Sequence, residues 1–232
     1  MTPIVDEPIV YVVDDDLSVR QALSSVIRST GVRVQTFASG QEFLDHARAD
    51  APSCLILDVM LPDRSGLDLP RELAAADVEI PIIFITGHGT IPMGVRAIKA
   101  GALEFLTKPF REDDLLAAVQ QAIHRDRAAR RDRAEIAALK NRLDKLTPRE
   151  RDVLGLIVTG RMNKQIAGTL GTKEQTIKQH RSRVMQKLGV KSVAELVLLV
   201  ERAAGRSPTA SASPGEGEPS SDRRDETPIL PT

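Results

Sequence analysis

The chain has 232 residues, room for one domain of ordinary size and a smaller one. Hydrophobic residues make up 41%, but there is no Trp and a single Tyr, which argues against an aromatic-lined small-molecule pocket. The formal net charge of zero averages over unlike parts: residues 1–124 sum to −8, 125–145 to +4, 146–204 to +6 and 205–232 to −2. An acidic first half joined to a basic second module points to a nucleic-acid partner for the second part only. No apolar stretch approaches the ~20 residues of a membrane helix. The start "MTPIVDEP" has neither the basic nor the apolar region of a signal peptide. A cytoplasmic location without a membrane partner is expected. Cys54 has no second cysteine to pair with and reads as a small core residue.

The first half alternates short apolar runs with amphipathic stretches. The runs are "IVYVV" (9–13), "VRVQTF" (32–37), "CLIL" (54–57), "IIFIT" (82–86) and "LEFL" (103–106). Strands separated by helices at this spacing read as βαβ units with a parallel sheet. The expected fold is α/β: a doubly wound, five-stranded parallel (βα)5 domain over residues 1–123. Ser39 and Glu42 fit a capping box before "FLDHA". Pro70 is tolerated only near a helix start, so its helix starts late or bends. In such sheets chemistry belongs at the carboxyl ends of the strands. There stand Asp14, Asp15 and Asp16 after the first strand, Asp58 after the third, Thr86 at the end of the fourth and Lys108 after the fifth.

Residues 124–145 continue a helical pattern through Ala129, Ile136, Leu139 and Leu143, with Asp126 and Arg133 interrupting the apolar seam. Both a self-associating helix and a solvated single helix fit. Residues 146–204 read as an all-α, four-helix module. Thr147 and Glu150 form a capping box with Pro148 at the first helical position. Asn163 is expected to cap the second helix, the box Thr172–Gln175 to open the third, and the box Ser192–Glu195 the fourth. Short turns between such helices make a helix-turn-helix. Residues 205–232 are rich in Ser, Pro, Gly and Glu, and are expected to be a disordered tail.

Two readings of the acids compete. Alone, "VVDDDLS" resembles the start of a haloacid-dehalogenase phosphatase, which needs a further acid pair at a later strand end. The only later pair, Asp113-Asp114, sits at a helix start, where acids suit the dipole. The other reading needs an Asp ending strand three, a Thr or Ser ending strand four and a Lys-Pro after strand five. "LILDVMLPDRSG", "IIFITGHG" and "LEFLTKPF" supply these in order. They resemble a response-regulator receiver domain. "TGHGTIPMGVRAIKAGALEFLTKPF" and "LTPRERDVL…NKQIAGTLG…TIKQHRSRVMQKLGVKS" are similar to the FixJ branch of the NarL/FixJ response regulators, with a LuxR-type helix-turn-helix. Lys173 departs from the pattern, where many relatives cap the recognition helix with Ser; Thr172 could take over.

The resemblance implies a phosphorylation-dependent transcriptional regulator. Asp15 and Asp58 would bind Mg²⁺ (or Mn²⁺) directly, Asp14 through water and Met60 through its main-chain carbonyl. Asp58 would take the phosphoryl group from a sensor histidine kinase, with Lys108 and the Thr86 hydroxyl on the phosphoryl oxygens. Phe105 would be the aromatic switch, although a plain core Phe fits that strand too. Lys108–Pro109 would be cis. Asp16 reads as a helix-start acid, and His88 as non-catalytic. The protein would act as a homodimer when phosphorylated, on promoter DNA, with RNA polymerase as a further partner and no turnover of an external substrate. The alternatives are a phosphoryl-transfer enzyme with a DNA-binding tail and a DNA binder that is never phosphorylated.

On a 100° wheel of residues 174–188, Ile177, Val184 and Leu188 fall together as a core face, and polar residues lie opposite. Lys178, Gln179 and Ser182 are the expected base readers in a major groove. Thr176, His180, Arg183, Lys164 and Lys187 are expected on phosphates. The last helix is apolar on more than one face, which suggests a dimer contact.

Overall fold

The computed structural model describes residues 7–87 and 89–205. The chain divides after Glu135 into two compact units, later than the receiver end expected at residue 123.

The first unit holds five strands: β1 (Ile9–Val13), β2 (Arg33–Phe37), β3 (Ser53–Asp58), β4 (Ile82–Thr86) and β5 (Glu104–Thr107). All pairings are parallel, in the order β2-β1-β3-β4-β5. The helices between them are α1 (Leu17–Arg28), α2 (Gly40–Asp45), α3 (Leu69–Ala75) and α4 (Ile91–Lys99). A fifth, α5 (Glu112–Asp144), begins after β5 and is one helix of 33 residues. Successive side chains of a strand point to opposite faces. Tyr11, Val13, Leu55, Leu57 and Phe84 therefore join Phe43, Leu69 and Leu73 in one core. Val10, Val12, Ile56, Ile83 and Ile85 join Leu23, Ile27, Leu115 and Val119 in the other. Both faces of β1, β3 and β4 are covered, which is why these three read as unbroken apolar runs. Cys54 is buried in the second core, and that burial pushes its thiol up, out of reach of ionisation.

Local rules set the helix starts. Asp16 caps α1, its Oδ1 accepting from the Ser18 and Val19 amides at 2.7 and 3.4 Å. Those bonds hold its carboxyl below the usual range. Ser39 caps α2 as expected, but Glu42 reaches back to the Ala38 amide. Pro70 sits in the first turn of a late-starting α3, where its missing N–H costs no helix bond.

The second unit comprises the end of α5 with α6 (Pro148–Val158), α7 (Asn163–Thr169), α8 (Glu174–Leu188) and α9 (Val193–Ala203). Its core gathers Leu146, Val153, Ile157, Ile166, Ile177, Val184, Leu188 and Leu196. Thr147 and Glu150 make the expected reciprocal capping box. Two expected caps are corrected. Asn163 is the first residue of α7 rather than its cap, and the Gln165 side chain serves the Met162 amide instead at 2.9 Å. Neither Thr172 nor another side chain caps α8: Lys173 holds the cap position without a side-chain bond. Of the expected tail, only Gly205 lies within the described residues.

Candidate metal centre and nucleic-acid interface

The strand order places β1 between β2 and β3, so the connections leave the sheet on opposite sides at that point and open a crevice at the carboxyl ends. Asp14, Asp15 and Asp58 converge there, each offering a carboxylate oxygen within 4.8 Å of the others. Asp14 and Asp58 are buried and Asp15 is exposed. Asp14 Oδ1 accepts from the Asp16 amide at 2.9 Å, and Asp58 Oδ1 from the Met60 amide at 3.0 Å. Each buried acid thus has one oxygen fixed by the chain itself.

Lys108 holds the other two. Its Nζ donates to Asp14 Oδ2 at 2.7 Å and to Asp58 Oδ2 at 2.8 Å. Burial raises the Asp14 carboxyl above its usual range, with the nearby Asp58 charge adding to it and Lys108 opposing it. Burial alone would lower Lys108, but its bonds to the two acids hold it above its ordinary value. Lys108 follows β5, and its amide donates to the Thr86 carbonyl at 2.8 Å, which ties β5 to the end of β4. Thr86 is buried, and the Lys108–Pro109 peptide is cis, as the resemblance implies. Clustered carboxylate oxygens with one exposed member are a donor set for a hard divalent cation. The acids present fit Mg²⁺.

Met60 is exposed, and its backbone bridges to Ser65 as the loop turns back over Asp58. Phe105 is half-buried and packs on the first core, beside Gly94. His88 lies outside the described residues. Two residues of the site escaped the sequence reading. Arg20 reaches from α1 and donates from Nη1 to the Asp14 carbonyl at 2.6 Å. Gly66 approaches so closely that a β-carbon there would lie 2.1 Å from the Asp58 carbonyl oxygen. The sequence flags neither, since both contacts are to main-chain atoms across a loop.

In the second unit α8 presents Lys178, Gln179, Ser182, Arg183 and Gln186 as exposed residues, with Ile177, Val184 and Leu188 buried behind them. Lys178 pairs with Glu174 one turn earlier, 3.4 Å away. Thr176 and His180 are half-buried, and Lys164 is exposed at the start of α7. Arg181 donates to the Asn163 side chain at 3.2 Å and fastens α8 to α7; the wheel alone gave it no role. Lys187, expected on a phosphate, is engaged within the unit itself. Its Nζ donates to Glu150 Oε2 at 2.6 Å and to the Lys145 carbonyl at 3.2 Å. The Lys187 bond first, and the Thr147 amide second, bring the Glu150 carboxyl down to about 2.

The family "Response regulator receiver domain" matches residues 10–120, and "Bacterial regulatory proteins, luxR family" matches residues 144–200. The chain is 50% identical over 193 residues to Nodulation protein W of Bradyrhizobium diazoefficiens, covering 83% of this chain and 85% of that one. It is 37% identical over 194 residues to the transcriptional regulatory protein FixJ of the same organism, covering 84% and 95%. The solved structure of response regulator StyR shares 49% identity and a TM-score of 0.76, covering 84% of this chain and 99% of that one. With this fold and these acids, the chain belongs to the NarL/FixJ family of two-component response regulators and is a phosphorylation-dependent, DNA-binding transcriptional regulator.

Proposed function

We propose that Asp58 is the phosphoryl acceptor and that a sensor histidine kinase is the donor. The observation that carries this is the Lys108 ammonium bridging Asp14 and Asp58 on buried oxygens. In the reaction an Asp58 Oδ attacks phosphorus, the phosphorus–nitrogen bond of the phosphohistidine breaks, and the leaving imidazole takes up a proton. Asp14, Asp15, Asp58 and the Met60 carbonyl would hold Mg²⁺, which supplies charge neutralisation for the phosphoryl oxygens. Lys108 and the Thr86 hydroxyl receive the other phosphoryl oxygens. The chemistry is positioning and electrostatics, as in other phosphoryl transfers. Phosphorylation would draw Thr86 toward the phosphoryl group and let Phe105 turn inward.

The receiver, residues 1–123, joins through the helical segment 124–145 to the DNA module, residues 146–204. A homodimer forms through the receiver on phosphorylation. Its support is an exposed apolar stripe on α4, where Ile91, Val95 and Ile98 are 86%, 48% and 53% exposed. A row of that kind marks an interaction surface. On promoter DNA, Lys178, Gln179 and Ser182 read base edges, and Lys164, Thr176, His180 and Arg183 meet phosphates. RNA polymerase is a further partner, and the protein works in the cytoplasm. Incubation with acetyl phosphate and Mg²⁺ tests the reading. One stoichiometric, base-labile phosphoryl group on Asp58 supports it. Continuous release of phosphate marks an enzyme instead, and no incorporation marks a receiver that is never phosphorylated.

A further inference from the structure

Asp126 lies on the same stripe of α5 as the core residues Leu115, Val119 and Ala122, where an apolar residue is expected. It is nevertheless only 2% exposed. A buried carboxylate is costly unless paired and hydrogen-bonded, and this one is both. Its Oδ2 accepts from the Ser53 amide at 2.8 Å and from Arg130 Nε at 2.8 Å, and Arg133 Nη2 lies 3.7 Å from Oδ1. Ser53 is the first residue of β3, at the end of the sheet away from Asp58. The two arginines reach on to the loops before the strands. Arg130 Nη1 donates to Asp50 at 2.6 Å, and Arg133 Nη1 to Glu79 at 2.7 Å.

Apolar packing is thin at this point, because after Ile123 no apolar residue of α5 is buried. A cavity of about 330 Å³, lined by Val78, Ile80, Leu103, Ala129 and Arg133 among others, runs beside this part of α5. The polar contacts therefore carry the attachment. We propose that Asp126, Arg130 and Arg133 form a strap that fastens residues 124–133 of α5 to the N-terminal edge of the receiver sheet. The strap fixes the rotational setting of that part of α5 on the receiver. It makes that part of the segment 124–145 mechanically part of the receiver. It also accounts for the broken seam: positions 126 and 133 are polar because they face the protein's own sheet, so the helix does not self-associate along that seam before Arg133. The inference is independent of phosphorylation at Asp58.

Amide hydrogen exchange on the unphosphorylated, full-length chain tests it, for the parent, Asp126→Asn and Arg130→Met. A hydrogen bond to a charged group is worth enough that its loss should speed exchange of residues 124–133 by about tenfold or more. Amides of β1, β4 and α1 should keep parental rates. Arg130→Met leaves the Asp126–Ser53 bond in place, so it remains informative if Asp126→Asn folds poorly. Parental exchange at 124–133 in Arg130→Met would overturn the strap. So would faster exchange spread evenly over the receiver, which would make the cluster an ordinary part of the core.

Discussion

The acid pocket of the receiver and the exposed face of α8 are both dense in polar groups, but they hold them in opposite ways. In the pocket, Asp14, Asp58 and Lys108 are bonded to one another and to the chain at 2.7–3.0 Å. Little side-chain freedom is left, and charges in a low-dielectric site act strongly at short range. On α8, Gln179, Ser182 and Arg183 stand in solvent on a well-anchored helix. Under the proposed function, DNA completes their geometry. Chemistry on a phosphoryl group needs preorganisation, whereas reading a duplex needs a stiff platform bearing adaptable side chains.

The sharpest way to break this contrast is Asp58→Asn. The amide is a poor nucleophile and a weaker partner for Lys108, so phosphoryl incorporation from acetyl phosphate should be lost entirely. Binding of the variant to random-sequence DNA should match that of the unphosphorylated parent, because α8 is untouched. Radiolabel on the Asn variant would remove Asp58 from its assigned role.

A second comparison uses two glycines. A β-carbon at Gly66 meets the Asp58 carbonyl at 2.1 Å, while one at Gly155 in α6 meets nothing within 4 Å. Gly66→Ala should cost about 1–3 kcal/mol of stability through overpacking and slow phosphorylation by displacing Asp58. Gly155→Ala should instead stabilise by roughly 0.5–1 kcal/mol, the ordinary gain in a helix interior. Urea denaturation of the two variants reads both, and a Gly66→Ala protein with parental stability and labelling rate would refute the close approach.

The same contrast separates what the sequence revealed from what it concealed. β1, β3 and β4 were legible because burial on both faces makes each an apolar run. The edge strands β2 and β5 were legible from their place between helical stretches, and the run ends announced Asp14, Asp58, Thr86 and Lys108. The Thr147–Glu150 box was legible because both of its bonds are local. Contacts to main-chain atoms reached across a loop or between elements were not. Arg20 on the Asp14 carbonyl, Gly66 against Asp58 and Asp126 on the Ser53 amide join residues whose types carry no mark of their partner. Asn163 was misplaced as a cap for a related reason. An Asn at a helix start suits capping, but its side chain is engaged by Arg181 from the next helix, a tertiary demand that local pattern cannot show.

Glu150 tests the electrostatics of the second unit. Its carboxyl is brought down to about 2 from an ordinary 4.5 by Lys187 and the Thr147 amide. A depressed acid contributes stability that is fully present above its unfolded pKa and is lost as pH falls through its folded one. Glu150→Gln should lower stability by about 1–3 kcal/mol near neutral pH, the worth of a charge-assisted hydrogen bond. The gap between parent and variant should be flat above about pH 5 and narrow toward pH 2. A gap independent of pH over that range would show that the loss comes from packing alone.

The smallest expected effect is the most discriminating for the reading face. Arg183 and Lys187 lie four residues apart on α8, and pattern alone assigned both to phosphates. Arg183 is exposed, whereas Lys187 is bonded to Glu150 and to a main-chain carbonyl. A side chain that neutralises one phosphate contributes about 0.9 to the slope of log affinity against log salt concentration. A lysine already neutralised by a buried glutamate contributes little to that slope. Titrating a random-sequence duplex at several salt concentrations should therefore show Arg183→Met flattening the slope by roughly one unit. Lys187→Met should leave the slope intact and instead lower the melting temperature. Equal flattening in both variants would mean that Lys187 leaves Glu150 when DNA arrives, and the contrast between a fixed pocket and an adaptable face would then extend into the second unit's own core.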